Sequence, residues 1–185
     1  GESKGGKHAY MLLEECVPPV PDITKDEALA RLARNYFRSH TPATLQDFVW
    51  WSGLSVTEAK QGIYLIGCEL TEEQWKGQTW YLHESGRTRG SIKGHIQFLP
   101  PYDELLLGYK DRTDVLPSEH YSKAFTGNGL FFPVILYEGQ IVGNWDRKVK
   151  RNGCAPEYSL FRQESRIDEA LLDKAQQQYM QFLGK

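Results

Sequence analysis

Three times within 35 residues the chain places a hydroxyl residue and, three positions later, an acidic one: Thr24 and Glu27, Thr44 and Asp47, Ser55 and Glu58. In each pair the hydroxyl can accept from a backbone N–H of the first helical turn, and the carboxylate can reach back to the capping residue's own N–H. Such a pair marks a helix start. The first opens a run with apolar residues at Ala28, Leu29, Leu32, Ala33, Tyr36 and Phe37, the spacing of a helix with one buried face. The second precedes Phe48-Val49-Trp50-Trp51, which Gly53 terminates, and the third opens a helix through Ala59, Ile63 and Ile66. Three short helices, the last two separated by a tight glycine turn, form the pattern of a helix-turn-helix.

Strand signals follow. Residues 68–71 and 79–83 are expected to pair as a hairpin across Lys76-Gly77, giving the helical unit a wing. Beyond residue 92 the runs 96–99, 130–137, 140–149 and 158–161 read as strands, with Glu138-Gly139 and Asn152-Gly153 as turn pairs between them. A helix over 168–183 closes the chain, with Ile167, Leu171, Ala175, Tyr179, Phe182 and Leu183 on its expected buried side. The fold class is thus α+β: a winged helix, then a small antiparallel sheet or barrel, then a carboxy-terminal helix. The expected division is a strand over 10–13 with a proline-rich linker within 1–23, belonging to a preceding winged helix; a winged helix over 24–91; a barrel-like unit over 92–165; and the helix over 166–185.

The composition narrows the chemistry. Cys16, Cys68 and Cys154 are odd in number and far apart, so they suggest neither a disulfide framework nor a zinc site. The five histidines show no ligand spacing, and no nucleophile elbow, phosphate loop or dinucleotide fingerprint occurs. No cofactor and no metal are expected. The absence of a long apolar run or a signal pattern suggests a soluble, cytoplasmic chain with no membrane partner. A net charge of −2 argues against indiscriminate nucleic-acid binding but allows local basic patches.

Two such places stand out. The helix after Ser55 would present Ser55, Thr57, Lys60 and Gln61 at the end that enters a major groove, although Ser55 already has a capping task. Arg147, Lys148, Lys150 and Arg151 form the densest basic cluster. Strand alternation puts Trp145, Arg147, Val149 and Arg151 on one face, a pattern suited to phosphate contact and base stacking or, equally, to a solvated hairpin. Lys110 and Arg112 are further candidates, beside the acids Asp103 and Glu104, whose adjacent placement on opposite faces suits structural hydrogen bonding better than acid/base catalysis.

Three blocks carry a family resemblance: the run 32–54, containing Leu45-Gln46-Asp47-Phe48-Val49-Trp50-Trp51; the run Leu99-Pro100-Pro101-Tyr102-Asp103-Glu104-Leu105-Leu106-Leu107-Gly108-Tyr109-Lys110-Asp111-Arg112; and Pro133-Val134-Ile135-Leu136 followed by Val142-Gly143-Asn144-Trp145. Together they resemble the winged-helix family of AlkZ/YcaQ-type DNA glycosylases. The resemblance implies tandem winged helices scaffolding a β-barrel around a basic concave surface, double-stranded DNA, intact or damaged, as partner, and excision of bulky alkylated or crosslinked bases. It also implies a catalytic Gln-x-Gln or His-x-Gln pair in an amino-terminal region. The chain is expected to be the carboxy-terminal, DNA-binding part, inactive alone, and Gln176-Gln177-Gln178 lies in the wrong context to replace that pair. Two alternatives from other classes are a winged-helix transcription regulator without chemistry and a protein-interaction scaffold.

Overall fold

The computed structural model describes residues 3–5, 7, 8, 10–19, 21–86, 91–150, 153–162 and 167–182, with backbone alone at 3, 4, 7, 8, 148–150 and 153–155. Two-residue strands β1 (Ser3–Lys4) and β2 (Lys7–His8) pair with each other, and α1 (Leu13–Cys16) is a single turn. The strand expected over 10–13 does not form. Tyr10 is 93% exposed, and among the described residues no strand pairs with this run.

Helices α2 (Lys25–Ser39), α3 (Leu45–Ser52) and α4 (Val56–Leu65) each begin with a complete capping box at Thr24, Thr44 and Ser55. Gly53, at φ +69°, ends α3 in the left-handed conformation that glycine adopts without a Cβ clash. α2 buries Leu29, Ala33, Tyr36 and Phe37, the i, i+4, i+7, i+8 stripe of its sequence. α4 packs closely on this stripe because Gly62 has no side chain: a Cβ there would meet the Leu29 carbonyl oxygen at 3.1 Å and the Ala33 Cβ at 3.3 Å. Ala43, Phe48, Ala59, Ile63 and Ile66 complete the core.

The two-residue strand β3 (Ala43–Thr44) leads into α3, and the hairpin of β4 (Leu70–Trp75) and β5 (Gln78–His83) follows α4. The sheet order is β3-β5-β4, all antiparallel. Lys76 and Gly77 both take positive φ at the turn, the handedness that matches the twist of the flanking strands. The first strand begins later than expected, at Leu70, because residues 67–69 form a 3₁₀ turn, and it runs on to Trp75.

The second sheet contains β6 (Ile96–Leu99), β7 (Val134–Tyr137), β8 (Gln140–Lys150) and β9 (Gly153–Leu160), paired antiparallel in chain order. β7 is shorter than the apolar run 130–137 suggests; Phe131 forms an isolated bridge to Phe125 instead. Between β6 and β7 lie α5 (Glu104–Leu107) and α6 (Tyr121–Ala124), whose Leu106 and Ala124 join Leu116, Val134 and Ile141 in a second core. Finally, α7 (Glu169–Phe182) lies against β6 and β9. Its buried residues are Leu172 and Ala175, with Ile167 just ahead, whereas Phe182 is 85% exposed and Leu183 lies outside the described residues.

Candidate nucleic-acid interface

The segment from β6 to residue 112 joins the helical unit to the second sheet. Asp103 caps α5 by accepting from the Leu105 N–H at 2.9 Å, and Glu104 Oε2 lies 3.3 Å from Nε2 of the buried His40. The His40 ring is stacked on Tyr36 at 4.6 Å. Tyr36 donates its hydroxyl to the Gly108 carbonyl at 2.8 Å; burial, with Asp47 adding to it, pushes this phenol far above its ordinary range. Burial raises the Tyr109 phenol as well, to about 12. Asp47 accepts the Lys110 N–H at 2.8 Å through one oxygen while the other completes the box with Thr44. Asp103 and Glu104 therefore act as hydrogen-bonding groups, Asp103 within its own turn and Glu104 across to His40.

The joint also absorbs Arg112, read from sequence as a DNA contact. It is 7% exposed; its Nε donates to the Leu106 carbonyl and its Nη1 to the Lys110 carbonyl at 3.2 Å. The rings of Trp50, Phe125 and Phe131 surround the guanidinium at 5.2 to 5.7 Å. Burial lowers its pKa from the free value, but an arginine with that much headroom stays charged. Lys110, in contrast, is exposed, with its Nζ 3.4 Å from Gln46.

On α4 the face opposite Ala59, Gly62 and Ile63 is open. Ser55, Thr57 and Lys60 are exposed, but Ser55 is occupied by Glu58, and the half-buried Gln61 donates to Asp26 at 2.6 Å. Tyr64, one turn beyond Lys60, is 82% exposed and continues that stripe. Nothing nominated it from sequence; continuing the outward spacing from Thr57 and Lys60 would have found it. Beneath α4, Glu69 binds Arg34 Nε at 2.8 Å and Nη2 at 2.7 Å, and faces the buried His83 at 3.4 Å. The Arg34 hydrogen bonds hold the Glu69 carboxyl below its usual range.

The strand pair β8–β9 has a different shape. β7 pairs with residues 140–144 of β8, whereas β9 follows β8 out to the Lys150–Gly153 pair. Beyond residue 144 the two strands form a ribbon with no further strand from β7. Arg147 is exposed on it; the side chains of Lys148 and Lys150, and Arg151 as a whole, lie outside the described residues. Trp145 begins the ribbon but belongs to the interior: it is 8% exposed, stacks on Phe98 at 5.6 Å, meets Tyr179 edge-on at 5.0 Å and donates Nε1–H to the Leu99 carbonyl at 2.7 Å. It presents no free face for stacking a base, so the sequence reading of this residue is corrected.

A family model described as DNA glycosylase AlkZ-like matches residues 1–182. The chain belongs to the AlkZ-like DNA glycosylase family. A similar curated protein is the interstrand DNA cross-link repair glycosylase of Streptomyces sahachiroi, 28% identical over an alignment of 128 residues that covers 65% of this chain and 34% of that protein. The solved structure of the Streptomyces sahachiroi DNA glycosylase AlkZ superimposes with a TM-score of 0.67 at 25% identity, over 81% of this chain and 41% of that one. This AlkZ-like chain thus spans about a third of the curated relative and two-fifths of the solved one. Among the described residues no helix is long and apolar enough to cross a membrane, and no group of three His, Cys, Asp or Glu is placed to hold a metal ion.

Proposed function

We propose that this chain is the DNA-binding, winged-helix part of a DNA-repair glycosylase acting on bulky alkylated or crosslinked bases, and that the β8–β9 ribbon makes its main contact with the duplex. The single observation behind this reading is the ribbon itself. It projects past β7, exposes Arg147, and carries Lys148 and Lys150 with Arg151 following in sequence. A two-stranded ribbon is narrow enough to enter a DNA groove, and its cations replace condensed counterions along the phosphates.

The winged-helix description is supported by the order of α2, β3, α3, α4 and the β4–β5 hairpin, with β5 between β3 and β4 in the sheet. On this reading 24–91 is the winged helix, 92–165 the strand unit and 166–185 its covering helix. A cytoplasmic location follows from DNA as the partner. The relatives' name supplies the repair chemistry, since the substrate class is that of the matched glycosylase.

The test is a fluorescence-polarisation titration of a labelled duplex at several salt concentrations. With about three or four phosphate contacts, affinity falls roughly tenfold or more over a fourfold rise in salt. Replacing Arg147 and Arg151 with Ala removes most of that slope, and Lys60→Ala removes little. Greater damage from the Lys60 change would move the interface to α4.

A further inference from the structure

A pocket of about 380 Å³ lies between the segment leading into β6 and one face of α7. It sits at the end of the second sheet remote from the ribbon. Ile96 pairs with Tyr137 beside the β7–β8 turn, whereas the ribbon departs beyond residue 144, whose partner Val134 lies opposite Leu99. Local structure fixes both walls. Gly94, at φ +72°, turns the chain, and three hydrogen bonds hold the turn: His95 N–H to the Ile92 carbonyl at 3.1 Å, Gly94 N–H to Glu138 Oε1 at 2.7 Å, and Glu138 N–H to the His95 carbonyl at 2.9 Å. Lys93, His95 and Gln97 line the pocket from this side. From α7 it is lined by Leu171, Lys174, Ala175 and Gln178, the i, i+3, i+4, i+7 spacing of one helix face. Ala175, buried and small, leaves room between Lys174 and Gln178.

The polar groups of this lining are cations and amides. Lys93, His95 and Lys174 are exposed, and among the described residues their side chains have no hydrogen-bond or ion-pair partner. No carboxylate of the described residues lines the pocket, and Glu138 is engaged by the Gly94 N–H. The grooves beside the β4–β5 hairpin differ in this respect: Glu73, Asp111 and Asp114 line one, and Asp47, Asp111 and Asp114 the other. Two ammonium groups at one hollow without a counter-charge repel each other, and an anion between them removes that repulsion. Gln97 and Gln178 add amide N–H donors on opposite walls. A tetrahedral anion, with oxygens pointing in several directions, can accept from both walls at once, whereas the two oxygens of a carboxylate lie in one plane.

We infer that this pocket binds a phosphate group, presented either by a nucleic-acid backbone or by a free phosphorylated molecule.

The experiment is an amide NMR titration of the whole chain with inorganic phosphate, set against sodium chloride at matched ionic strength. Saturable shifts are expected at Gly94, Gln97 and Gln178 with phosphate and not with chloride. Lys93→Gln and Lys174→Gln, both at exposed positions, should each weaken phosphate about 3-fold and together about 10-fold, the loss of one and of two solvated charge pairs. Gln178→Glu, also at an exposed position, brings a carboxylate to the hollow and should abolish saturation. Circular dichroism checks folding, and Gln178→Glu carries the test if the double lysine variant fails to fold. Titration of a labelled duplex at several salt concentrations separates the two sources. The double variant lowers the logarithmic salt slope by about one if the pocket holds a backbone phosphate, and leaves it unchanged if the phosphate belongs to a small molecule. Arg147→Ala in the same titration reports on the ribbon, so the DNA-binding reading can fail while the pocket stands. Absence of saturable shifts with phosphate, equal shifts with chloride, shifts confined to other basic positions such as Arg147, or unchanged phosphate affinity in the folded double variant overturns the inference.

Discussion

Replacing Asp47 with Ala should cost far more stability than the same loss from a capping box on the surface. Asp47 is 3% exposed; one oxygen accepts the Thr44 N–H at 2.9 Å and the Thr44 hydroxyl at 2.6 Å, and the other accepts the Lys110 N–H at 2.8 Å. Losing the cap costs ~1 kcal/mol. Leaving the part-buried Lys110 N–H without an acceptor adds about 1–3 kcal/mol, for a total near 3 kcal/mol. With a urea slope of roughly 2 kcal/mol per molar, the midpoint falls by about 1.5 M. Asp47→Asn should be intermediate, because its single carbonyl oxygen can take one of the two oxygen positions while its NH₂ faces the donors at the other. Glu27→Ala is the control: Glu27 closes an exposed box with Thr24 and should move the midpoint little. The assay is equilibrium urea unfolding followed by circular dichroism. Equal shifts for Asp47→Ala and Glu27→Ala would refute the claim that Asp47 joins α3 to the segment after α5.

Three further outcomes follow from the same geometry. Glu69, held below its usual pKa by Arg34, contributes stability that is present above the ordinary carboxylate value of 4.5 and is lost as pH falls through its lower folded value; the contribution is small because the pair is partly solvated. Urea midpoints of the wild type and Glu69→Gln should therefore differ near neutral pH and converge in acid, and a difference that persists unchanged in acid would contradict it. Trp145→Ala should cost about 3–5 kcal/mol as a buried aromatic truncation, visible as a lower melting temperature, whereas a fully stable variant with impaired DNA binding would return this residue to the interface. The chain alone, incubated with duplex carrying alkylated purines and then with alkali, should give background strand scission, since most of the matched glycosylases' length lies outside the match; excision abolished by a point change in this chain would show that it holds the catalytic centre.

The helices were legible because their start signals are local. A hydroxyl three residues ahead of a carboxylate satisfies the same backbone groups in any surroundings, and the glycine turns at Gly53, Gly77 and Gly139 depend on φ alone. The runs at 96–99 and 140–149 were legible for a similar reason, as β-forming side chains bounded by turns. What the sequence withheld was long-range. Arg112 and Trp145 look like ligands for DNA when read beside Lys110 and Arg147; their burial depends on Trp50, Phe125 and Tyr179, which come from distant parts of the chain. The apolar run 10–13 carries a strand composition but pairs with no strand among the described residues. Asp47 displayed its cap in the sequence, while its second partner lies 63 positions away.

The joint between the helical unit and the second sheet bears on how DNA would be gripped. Tyr36 to Gly108, His40 to Glu104, Asp47 to Lys110 and Trp50 to Arg112 fasten α2 and α3 to the segment entering the sheet at four points. Under the DNA-binding reading, α4 and the ribbon then work like the jaws of a caliper locked at one setting. A duplex that touched both jaws would have to meet the set span, so shape mismatch would be taken up as bending of the DNA. Sequence steps that bend easily would be favoured even where no side chain reads a base.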